Sequence, residues 1–477
     1  MGFLDKYKLS GSKNNWFQVT GDNHGLPATK INDNKRLRIA FLVNTFPLLS
    51  ETFVLNQITG LIDKGHTVDI FATKYNPGTK FHEDIHKYGL IYRTHFLSNM
   101  PKGYLSRSMK LLAMLLFAGG WKKPKMLLRT LNFTKFGRTA MSLYLAYAAL
   151  PFVREKPYDI LHCQFGFSGP LALSLKQVKA FNGKLVISFR GVDITQNLIS
   201  NPKIYDNIFR EADCLLPVSK NFKQKLIKEG CDPAKIKVHY SGIDTTRFKY
   251  TERNRNLEDI TQIYSIGRLV EKKGFAYGIK AIALSVASGH KVNYTIIGDG
   301  PLREKLQNLI SLLNLEKYIT LAGWMTRDEI IHKLDDAHLL LTPSITSKSG
   351  DCEGVPNASK EAMALGIPVL STYHSGIPEL IEDGVSGFLV PERDVNALAH
   401  KLDFLIDNPG IWPQISRSGR EVIETKFEIN KLNNELLDTY RELLNNSNSR
   451  VSIKTLNRRQ RKSKEVEENL KFSLKLD

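Results

Sequence analysis

The sequence predicts an α/β protein built from two doubly wound, Rossmann-like domains in tandem. Its 477 residues exceed what one ordinary hydrophobic core holds, so two or three domains are expected. In each half of the chain, short apolar strands alternate with segments of helical spacing, and short links of this kind require parallel strands. Two such domains leave a central cleft between the carboxyl ends of their sheets, where doubly wound folds bind ligands.

The first domain is predicted over residues 36–248, after a polar and poorly ordered extension over residues 1–35. Residues 37–43 are predicted as a strand, because apart from Arg38 they are apolar, which is typical of a strand buried on both faces. Residues 53–64 carry apolar side chains at helical spacing, and Gly65 is expected to end that helix. The further strands predicted in this domain are residues 67–72, 160–163, 185–188 and 214–218.

The second domain is predicted over residues 249–426, with the charged stretch 250–259 as the inter-domain connection. A helix over residues 427–446 is expected to return toward the first domain, and residues 447–477 form a polar, basic tail. The strands predicted in the second domain are residues 263–266, 294–297, 319–321, 338–341 and 368–370, with helices between them.

The composition favours a globular protein of the cytoplasm. Hydrophobic residues make up 42% of the chain, and no run approaches the roughly 18 apolar residues of a membrane-spanning helix. Residues 1–30 contain no apolar core of a signal peptide. The cysteines, Cys163, Cys214, Cys231 and Cys352, show neither metal-ligand spacing nor a disulfide pattern, which fits reduced thiols.

A basic insertion at about residues 100–150 contributes to the net charge of +19. Between residues 102 and 138 the chain carries these bases and no acidic residue: Lys102, Arg107, Lys110, Lys122, Lys123, Lys125, Arg129, Lys135 and Arg138. Interleaved apolar side chains make the segment amphipathic, which predicts binding to an anionic membrane surface at about 1 kcal/mol per near-surface base. Solvated faces of core helices are the alternative. Nucleic acid is not expected as a partner, because the chain shows no recognition motif for it.

Two carboxylates flank a predicted helix start within residues 349–370. Pro356 suits the first helical position, so Glu353 lies in the loop before the helix and Glu361 lies inside it. Backbone N–H groups, the positive end of the helix dipole and two acidic acceptors would then surround one crevice. This combination suits a polyhydroxylated, phosphorylated ligand, whereas a capped surface helix with incidental glutamates is the alternative.

A basic loop after the first strand of the second domain predicts a diphosphate clamp. Gly267 permits a sharp turn, and Arg268 and Lys273 project from the strand-to-helix junction as a bidentate donor and a mobile point charge. The chain has no Asp-x-Asp motif, so no metal is expected and these side chains would neutralise the phosphates. An ordinary basic surface loop is the alternative. A second glycine-containing turn, with Gly298, is a weak signal alone.

Jointly, these motifs resemble the retaining GT-B glycosyltransferases of family 4 over about residues 36–445. The matching motifs are Gly267-Arg268-Leu269-x3-Lys273-Gly274, Ile297-Gly298-Asp299-Gly300-Pro301, Glu353-Gly354-x-Pro356-x4-Glu361-Ala362 and Gly384-x2-Gly387-x-Leu389-Val390. The stretch Phe46-Pro47-x2-Ser50-Glu51-Thr52-Phe53, followed by Asn56-Gln57, resembles the colanic-acid-type exopolysaccharide branch.

The resemblance implies a role for each matching position. Catalytic roles fall to Glu353, which would hold the transferred sugar, and to Arg268 and Lys273, which would stabilise charge on the leaving nucleotide. The implied donor-binding residues are Glu361 for the ribose, Gly354 and Asn357 for the sugar, the main chain of Trp324 and Met325 for the base, Ser50, Glu51 and Thr52 near the phosphates, and Gly298 in its turn. Residues 50–52 would present a helix N-terminus with hydroxyl caps. The donor would be a nucleotide diphosphate sugar of the UDP or GDP type, and no cofactor is implied.

Two motifs depart from the family pattern. Relatives commonly have His-x-His where this chain has His162-Cys163-Gln164, and Ser-x-His-Gly-x-Asp where it has Arg190 in the histidine position before Asp193. On the acceptor side, Gln164 forms hydrogen bonds but exchanges no protons, so the departing phosphate oxygen would take the acceptor's proton. Arg190 would suit an acidic or phosphorylated acceptor. A catalytic role for His162 competes with that of a core histidine, and an acceptor role for Asp193 competes with that of a helix cap.

The sequence therefore predicts a retaining, metal-independent hexosyltransferase. It would move a sugar onto a polysaccharide or lipid-linked glycan in exopolysaccharide biosynthesis, as a peripheral protein on the inner face of the plasma membrane. A GT-B sugar-nucleotide epimerase or hydrolase is one alternative, because such enzymes need no acceptor. A catalytically inactive sugar-nucleotide-binding protein is the other, because Gln164 and Arg190 replace the residues usual in relatives.

Overall fold

The computed structural model describes residues 36–48, 51–77, 81–97, 100–117, 123–201, 203–253 and 259–445. The predicted extension 1–35 and the tail 447–477 lie outside these residues. Two parallel sheets, each of six strands, organise the described chain. The predicted α/β architecture of two Rossmann-like sheets is confirmed.

The first sheet has the strand order β3-β2-β1-β4-β5-β6. Its strands are β1 (Arg38–Phe46), β2 (Thr67–Tyr75), β3 (Thr94–Phe96), β4 (Ile160–Cys163), β5 (Lys184–Phe189) and β6 (Cys214–Pro217). Residues 39–43 of β1 have no exposed surface, which explains their continuous apolar run. The strand order reverses between β1 and β4, so the carboxyl ends of these strands flank the crevice typical of doubly wound folds.

Ten helices surround this sheet in the described residues, of which α3 to α6 belong to the basic insertion. They are α1 (Thr52–Asp63), α2 (Glu83–Lys87), α3 (Tyr104–Phe117), α4 (Pro124–Thr130), α5 (Phe133–Met141), α6 (Tyr144–Arg154), α7 (Gly169–Gln177), α8 (Gln196–Ser200), α9 (Asp206–Glu211) and α10 (Lys220–Lys228). As predicted, α1 stops at Gly65, which has φ 82° and donates its N–H to the Ile62 carbonyl at 2.8 Å.

The second sheet repeats the pattern with the order β12-β11-β10-β7-β8-β9. Its strands are β7 (Thr261–Ile266), β8 (Val292–Ile297), β9 (Ile319–Gly323), β10 (Leu339–Thr342), β11 (Val369–Thr372) and β12 (Phe388–Val390). Its helices are α11 (Phe275–Ala287), α12 (Arg303–Leu312), α13 (Arg327–Lys333), α14 (Asn357–Leu365), α15 (Val395–Asp407) and α16 (Trp412–Val422). The sequence did not predict β3 and β12 as strands, because three residues are too few to show a periodic pattern.

The chain crosses between the domains twice, and the two crossings pair with each other. The N–H of Ile243 donates to the Phe427 carbonyl, and the N–H of Ile429 donates to the Ile243 carbonyl, each at 3.0 Å. The following helix, α17 (residues 429–445), packs Leu436 and Tyr440 into the core of the first domain. The second crossing therefore returns the chain to the sheet where it began.

The two domains also touch directly beside the cleft. Glu379 of the second domain accepts the backbone N–H groups of Lys220 at 2.7 Å and Asn221 at 3.0 Å, which begin α10 of the first domain. The hydroxyl of Tyr240 donates to the same carboxylate at 2.8 Å. A carboxylate at a helix N-terminus is favourable, so this contact holds the two sheets facing each other across one gap.

The basic insertion divides into a buried and an exposed part. Helix α6 is a core helix, because Leu145, Ala148 and Ala149 are fully buried, so the amphipathic prediction is wrong for residues 144–150. In α3 to α5 the side chains that are more than half exposed include Tyr104, Leu105, Met109, Leu112, Leu116, Leu128, Phe133 and Met141. In the described part of the chain, none of the helices has the length and apolarity to cross a bilayer.

Candidate active site

A cavity of about 630 Å³ lies between the facing edges of the two sheets. The first domain lines it with Thr52, Phe53 and Arg190 among others, and the second with Gly267, Lys273, Trp324, Met325, Arg327, Glu353, Gly354, Asn357 and Glu361 among others. Most residues predicted for donor binding thus share one space, at the cleft where the sequence placed them.

Glu353 is held in place by two lysines that follow β7. Its carboxylate lies 3.5 Å from Lys272 Nζ and 3.3 Å from Lys273 Nζ. Lys272 also pairs with Asp351 at 3.2 Å. Burial raises the pKa of Glu353, but Lys273 and then Lys272 outweigh burial and hold that pKa at about 2. Glu353 is therefore an ionised hydrogen-bond acceptor throughout the neutral range.

A histidine that the sequence analysis missed positions the Glu353 loop. The backbone N–H of Glu353 donates to Nε2 of His374 at 3.0 Å, and Nδ1 of His374 donates to Glu392 at 2.6 Å. Because Nε2 accepts a hydrogen bond, the ring proton must lie on Nδ1. His374 follows β11 and Glu392 follows β12, so the parallel sheet brings both residues under the Glu353 loop. No local sequence motif predicted their role.

Glu361 shares the cavity with an arginine that was also missed. Arg327 Nη2 donates to Glu361 Oε1 at 3.3 Å, while the guanidinium lies 5.0 Å from the ring centroid of Phe248. Burial raises the pKa of Glu361, and Arg327 opposes that shift. Helix α14 begins at Asn357 with Pro356 as its N-cap, so Pro356 lies one residue earlier than predicted and Glu361 still falls in the second turn.

Of the two cations in the predicted diphosphate clamp, Lys273 and Arg268, one lines the cavity and the other does not. Lys273 lines the cavity, whereas Arg268 is exposed and is not among the lining residues. Gly298 does not line the cavity either. Glycine at this position lets the ends of β7 and β8 lie close to each other, because a Cβ on residue 298 would lie 2.0 Å from the Gly267 carbonyl oxygen. Its φ of 141° also disfavours any other residue.

On the acceptor side, Arg190 is the group that lines the cavity, and the other predicted residues support it. The Arg190 guanidinium donates to Gln164 Oε1 at 2.7 Å, to Gln57 Oε1 at 3.2 Å and to Ser241 Oγ at 2.9 Å. Gln164 is fully buried. Asp193 is also fully buried and accepts the backbone N–H groups of Gly166, Arg190 and Gly191, so it anchors this loop, whereas the N-cap residue of α8 is Thr195.

His162 lies in the core and has no exposed surface. Its Nδ1 is 2.7 Å from the Tyr440 hydroxyl and its Nε2 is 2.8 Å from Ser188 Oγ. Burial, with a smaller contribution from Arg190, lowers its pKa well below the usual range, so the ring is neutral. The structure therefore makes His162 a core histidine, and the prediction of a catalytic contact for it is not supported.

The loop after β1 brings Thr52 to the cavity, while Ser50 lies outside the described residues. Glu51 is the N-cap residue of α1 and makes no side-chain capping bond, so the predicted hydroxyl cap is not seen in the described part of this loop. Burial raises the pKa of Glu51 to about 7, although Arg190 acts in the opposite direction. No group of three or more His, Cys, Asp or Glu side chains suited to a metal ion occurs within the described ranges.

Two facing Rossmann-like sheets with this cleft define the GT-B class of glycosyltransferases. Residues 247–422 match the family model "Glycosyl transferases group 1", and residues 116–247 match "Glycosyltransferase Family 4". The chain belongs to these glycosyltransferases.

Relatives matched over nearly their full length support the family, and a solved structure supports the fold. The chain is 39% identical to a Salmonella typhimurium protein named as a colanic acid biosynthesis glycosyltransferase, WcaL, over 84% of this chain and 98% of that protein. It is 37% identical to the amylovoran biosynthesis glycosyltransferase AmsK of Erwinia amylovora, over 82% of this chain and 96% of that protein. Anabaena HepE, solved with UDP and glucose, superposes with a TM-score of 0.63 at 17% identity, over 85% of this chain and 100% of that chain.

Proposed function

We propose that this glycosyltransferase transfers a sugar from a UDP- or GDP-type nucleotide sugar, with retention at the anomeric carbon and without a metal ion. The observation that carries the proposal is one cavity in which the carboxylates of Glu353 and Glu361 lie beside the cationic side chains of Lys273 and Arg327. Carboxylates accept hydrogen bonds from sugar and ribose hydroxyls, and the cations balance a diphosphate.

Each of the charged residues in the cavity has a separate role in the proposed reaction. Glu353 and the backbone beside Gly354 hold the hydroxyls of the transferred sugar, and Glu361 holds those of the ribose. Lys273 stabilises the negative charge that grows on the leaving phosphate, in a cleft that excludes water. The bond from the anomeric carbon to the phosphate oxygen breaks while the bond to the acceptor oxygen forms.

The acceptor's proton is best taken by the departing phosphate oxygen, on the same face of the sugar. Glu353 has a pKa of about 2 and is a poor base near neutral pH. His162 is buried, and the side-chain amide of Gln164 is not a base that could take the proton. These features favour retention through same-face attack over a mechanism that needs a separate protein base.

The acceptor is proposed to be a growing polysaccharide or a lipid-linked glycan of exopolysaccharide biosynthesis. Support comes from the names of the relatives that match nearly the whole of their own length, which refer to colanic acid and amylovoran. An anionic membrane on the cytoplasmic face would hold such an acceptor. The exposed apolar and basic side chains of α3 to α5 provide a surface that suits it.

Retention and metal independence have direct tests. A panel of nucleotide sugars is first screened for thermal stabilisation of the protein, because a ligand at 100 times its Kd adds about 2.7 kcal/mol of stability. With the donor so identified, NMR of the initial product is expected to show the donor's anomeric configuration, and added EDTA is expected to leave the rate unchanged. An inverted product contradicts retention, and a rate abolished by EDTA and restored by Mg²⁺ contradicts metal independence. Free sugar or an epimer as the sole product with every acceptor favours the hydrolase or epimerase alternative.

The membrane surface has its own test. Replacing the exposed bases Lys125, Arg129 and Lys135 by glutamine removes three charges, which is expected to cost about 3 kcal/mol, or roughly 100-fold, in binding to anionic vesicles. Co-sedimentation with phosphatidylserine-containing vesicles at low and high salt measures the loss. The matched control replaces Lys280, Lys305 and Lys317, three exposed lysines of the second domain. Equal loss in both triple variants would mean that net charge, and not this surface, drives binding.

A further inference from the structure

Lys360 is a buried cation beside the donor site that the reaction described above does not use. It lies in α14 immediately before Glu361, which lines the cavity. Lys360 itself is fully buried and is not among the lining residues. Its side chain extends instead to the place where the chain crosses between the two domains.

The Lys360 side chain contacts both of these crossings. Its Nζ donates to the backbone carbonyl of Ser241, two residues before Ile243, and lies 5.7 Å from the ring centroid of Phe427. The two crossings are paired with each other at this point, because the N–H of Ile243 donates to the Phe427 carbonyl at 3.0 Å. Lys360 therefore ties helix α14 of the second domain to both segments that join the domains.

Ser241 links Lys360 to the acceptor side of the cavity. Ser241 lines the cavity, and its Oγ accepts a hydrogen bond from Nη1 of Arg190 at 2.9 Å. The Ser241 carbonyl is thus bound by the lysine that precedes Glu361, and the Ser241 hydroxyl is bound by the guanidinium of the first domain. One residue of the first crossing connects the helix that carries Glu361 to Arg190.

Folding alone does not account for a lysine at this position. Removing an ammonium group from water costs several kcal/mol, and replacing a buried charge by an apolar side chain of similar volume is often neutral or stabilising. Burial lowers the pKa of Lys360 to about 7, Glu361 opposes that shift and Arg190 adds to it. The charge is therefore costly to keep here, whereas its contacts lie between the two halves of the site.

We propose that Lys360 is a positioning residue for sugar transfer, which holds α14 and its carboxylate Glu361 in a fixed position relative to Arg190. This assignment rests on the proposed transferase function and adds to it the contact that aligns the donor with the acceptor. Alignment of two substrates lowers the barrier of the step that joins them, and it adds little to the affinity for either one alone.

The test replaces Lys360 by methionine, which has a similar volume and lacks the ammonium group. With the donor identified by thermal stabilisation and n-octyl glycosides as acceptors, single-turnover transfer at saturating donor is expected to be about 10- to 100-fold slower than in wild type. The Kd for UDP and for GDP, measured by calorimetry, is expected to stay within about threefold of wild type, which also shows that the variant is folded. Lys360→Leu, which also lacks the N–H donors, replaces it if methionine prevents folding.

The matched control is Lys235→Met. Lys235 also donates to backbone carbonyls, those of Phe209 and Arg210, but it is not among the residues that line the cavity. Transfer by this variant is expected to equal that of wild type. An equal loss in Lys235→Met and Lys360→Met would mean that the loss of any carbonyl-bound lysine slows the enzyme, which contradicts the proposal.

A double-mutant cycle with Ser241→Ala tests whether Lys360 acts through Ser241. Alanine keeps the backbone carbonyl that Lys360 binds and removes the hydroxyl that Arg190 binds. If both substitutions disturb the same alignment, the loss of transfer rate in the double variant is expected to be clearly smaller than the product of the two single losses. Single losses that multiply contradict the link through Ser241.

The remaining outcomes separate this assignment from the proposed function. Wild-type transfer by folded Lys360→Met overturns the assignment, and so does a loss that weaker nucleotide affinity explains in full, because Lys360 would then act on donor binding alone. In both cases the wild-type protein still transfers sugar, so the proposed function stands. A wild-type protein that consumes no nucleotide sugar overturns the proposed function itself, and this assignment with it.

Discussion

Replacing Lys273 by methionine is expected to lower the rate of sugar transfer by about 100- to 1,000-fold while the protein stays folded. Lys273 lines the cavity, and its Nζ lies 3.3 Å from Glu353, where sugar and diphosphate would meet. Methionine keeps the aliphatic stem and removes the charge that we propose stabilises the leaving phosphate. Single-turnover transfer with saturating donor measures the effect on the chemical step.

Two control variants sharpen this experiment. Lys280→Met removes a charge from the exposed surface of α11 and is expected to leave turnover unchanged. Arg268→Met removes the other cation of the predicted clamp, which is exposed and away from the cavity lining, so a loss of no more than about threefold is expected. A loss as large as that of Lys273→Met would show that Arg268 moves into the cavity when donor binds. Normal turnover by Lys273→Met would refute the role of Lys273.

The Lys273→Met substitution is also expected to change how the free energy of unfolding depends on pH. The pKa of Glu353 is held at about 2, below the ordinary 4.5, so its ionisation stabilises the folded protein above pH 4.5 and this contribution is lost as pH falls through 2. Without Lys273 the pKa of Glu353 rises and part of that stability disappears at neutral pH. Denaturant unfolding at pH 7 and at low pH is therefore expected to show a difference between wild type and Lys273→Met that shrinks on acidification.

Replacing Glu361 by glutamine is expected to weaken nucleotide binding by about 10- to 100-fold, because hydrogen bonds to a charged group are worth about 1.5–3 kcal/mol. Glutamine keeps an oxygen for Arg327, which donates to Glu361 at 3.3 Å, so the arginine is not left without an acceptor. Calorimetry with UDP and GDP measures the loss, and the exposed Glu382→Gln of the same domain is the matched control.

Deoxynucleotides show whether the ribose is the partner of Glu361. Wild type is expected to bind UDP more tightly than the 2′-deoxy and 3′-deoxy forms, and Glu361→Gln is expected to lose that preference for at least one of them. A double-mutant cycle between the residue and the hydroxyl isolates their interaction, since other contacts cancel. If the preference for the ribonucleotide is unchanged in Glu361→Gln, the ribose assignment is wrong.

That Glu353, Glu361 and Lys273 share a cavity was predictable, because they lie in two short segments of the chain. Glu353 and Glu361 are separated by one helix start, and Lys273 lies in a single loop after β7, so local spacing was enough to propose a shared crevice. The direction in which each side chain points was predicted less well. Arg268 and Lys273 belong to the same loop, yet one side chain is exposed and the other lines the cavity, because the turn at Gly267 and Gly274 sets where each one points.

Residues that act on the site from other strands were not predictable. Arg327 follows β9, and His374 and Glu392 follow β11 and β12, and each is an ordinary polar residue in its local sequence. They reach Glu361 and the Glu353 loop only because the strands are parallel and their carboxyl ends share one edge. His162 shows the opposite case, since its family motif suggested chemistry but Tyr440, from a helix far along the chain, covers it.

The alternation of strands and helices, the two-domain class and the motifs that carry Glu353, Glu361 and Lys273 follow from periodic burial and local spacing, both of which can be read along the chain. Folding then sets which polar groups share the cavity, which are buried behind it and what charge each carries. The charge of each group depends on its pKa, which burial and neighbouring charges shift. Both depend on contacts between residues that are distant in sequence, such as Glu361 with Arg327 and Glu353 with Lys273.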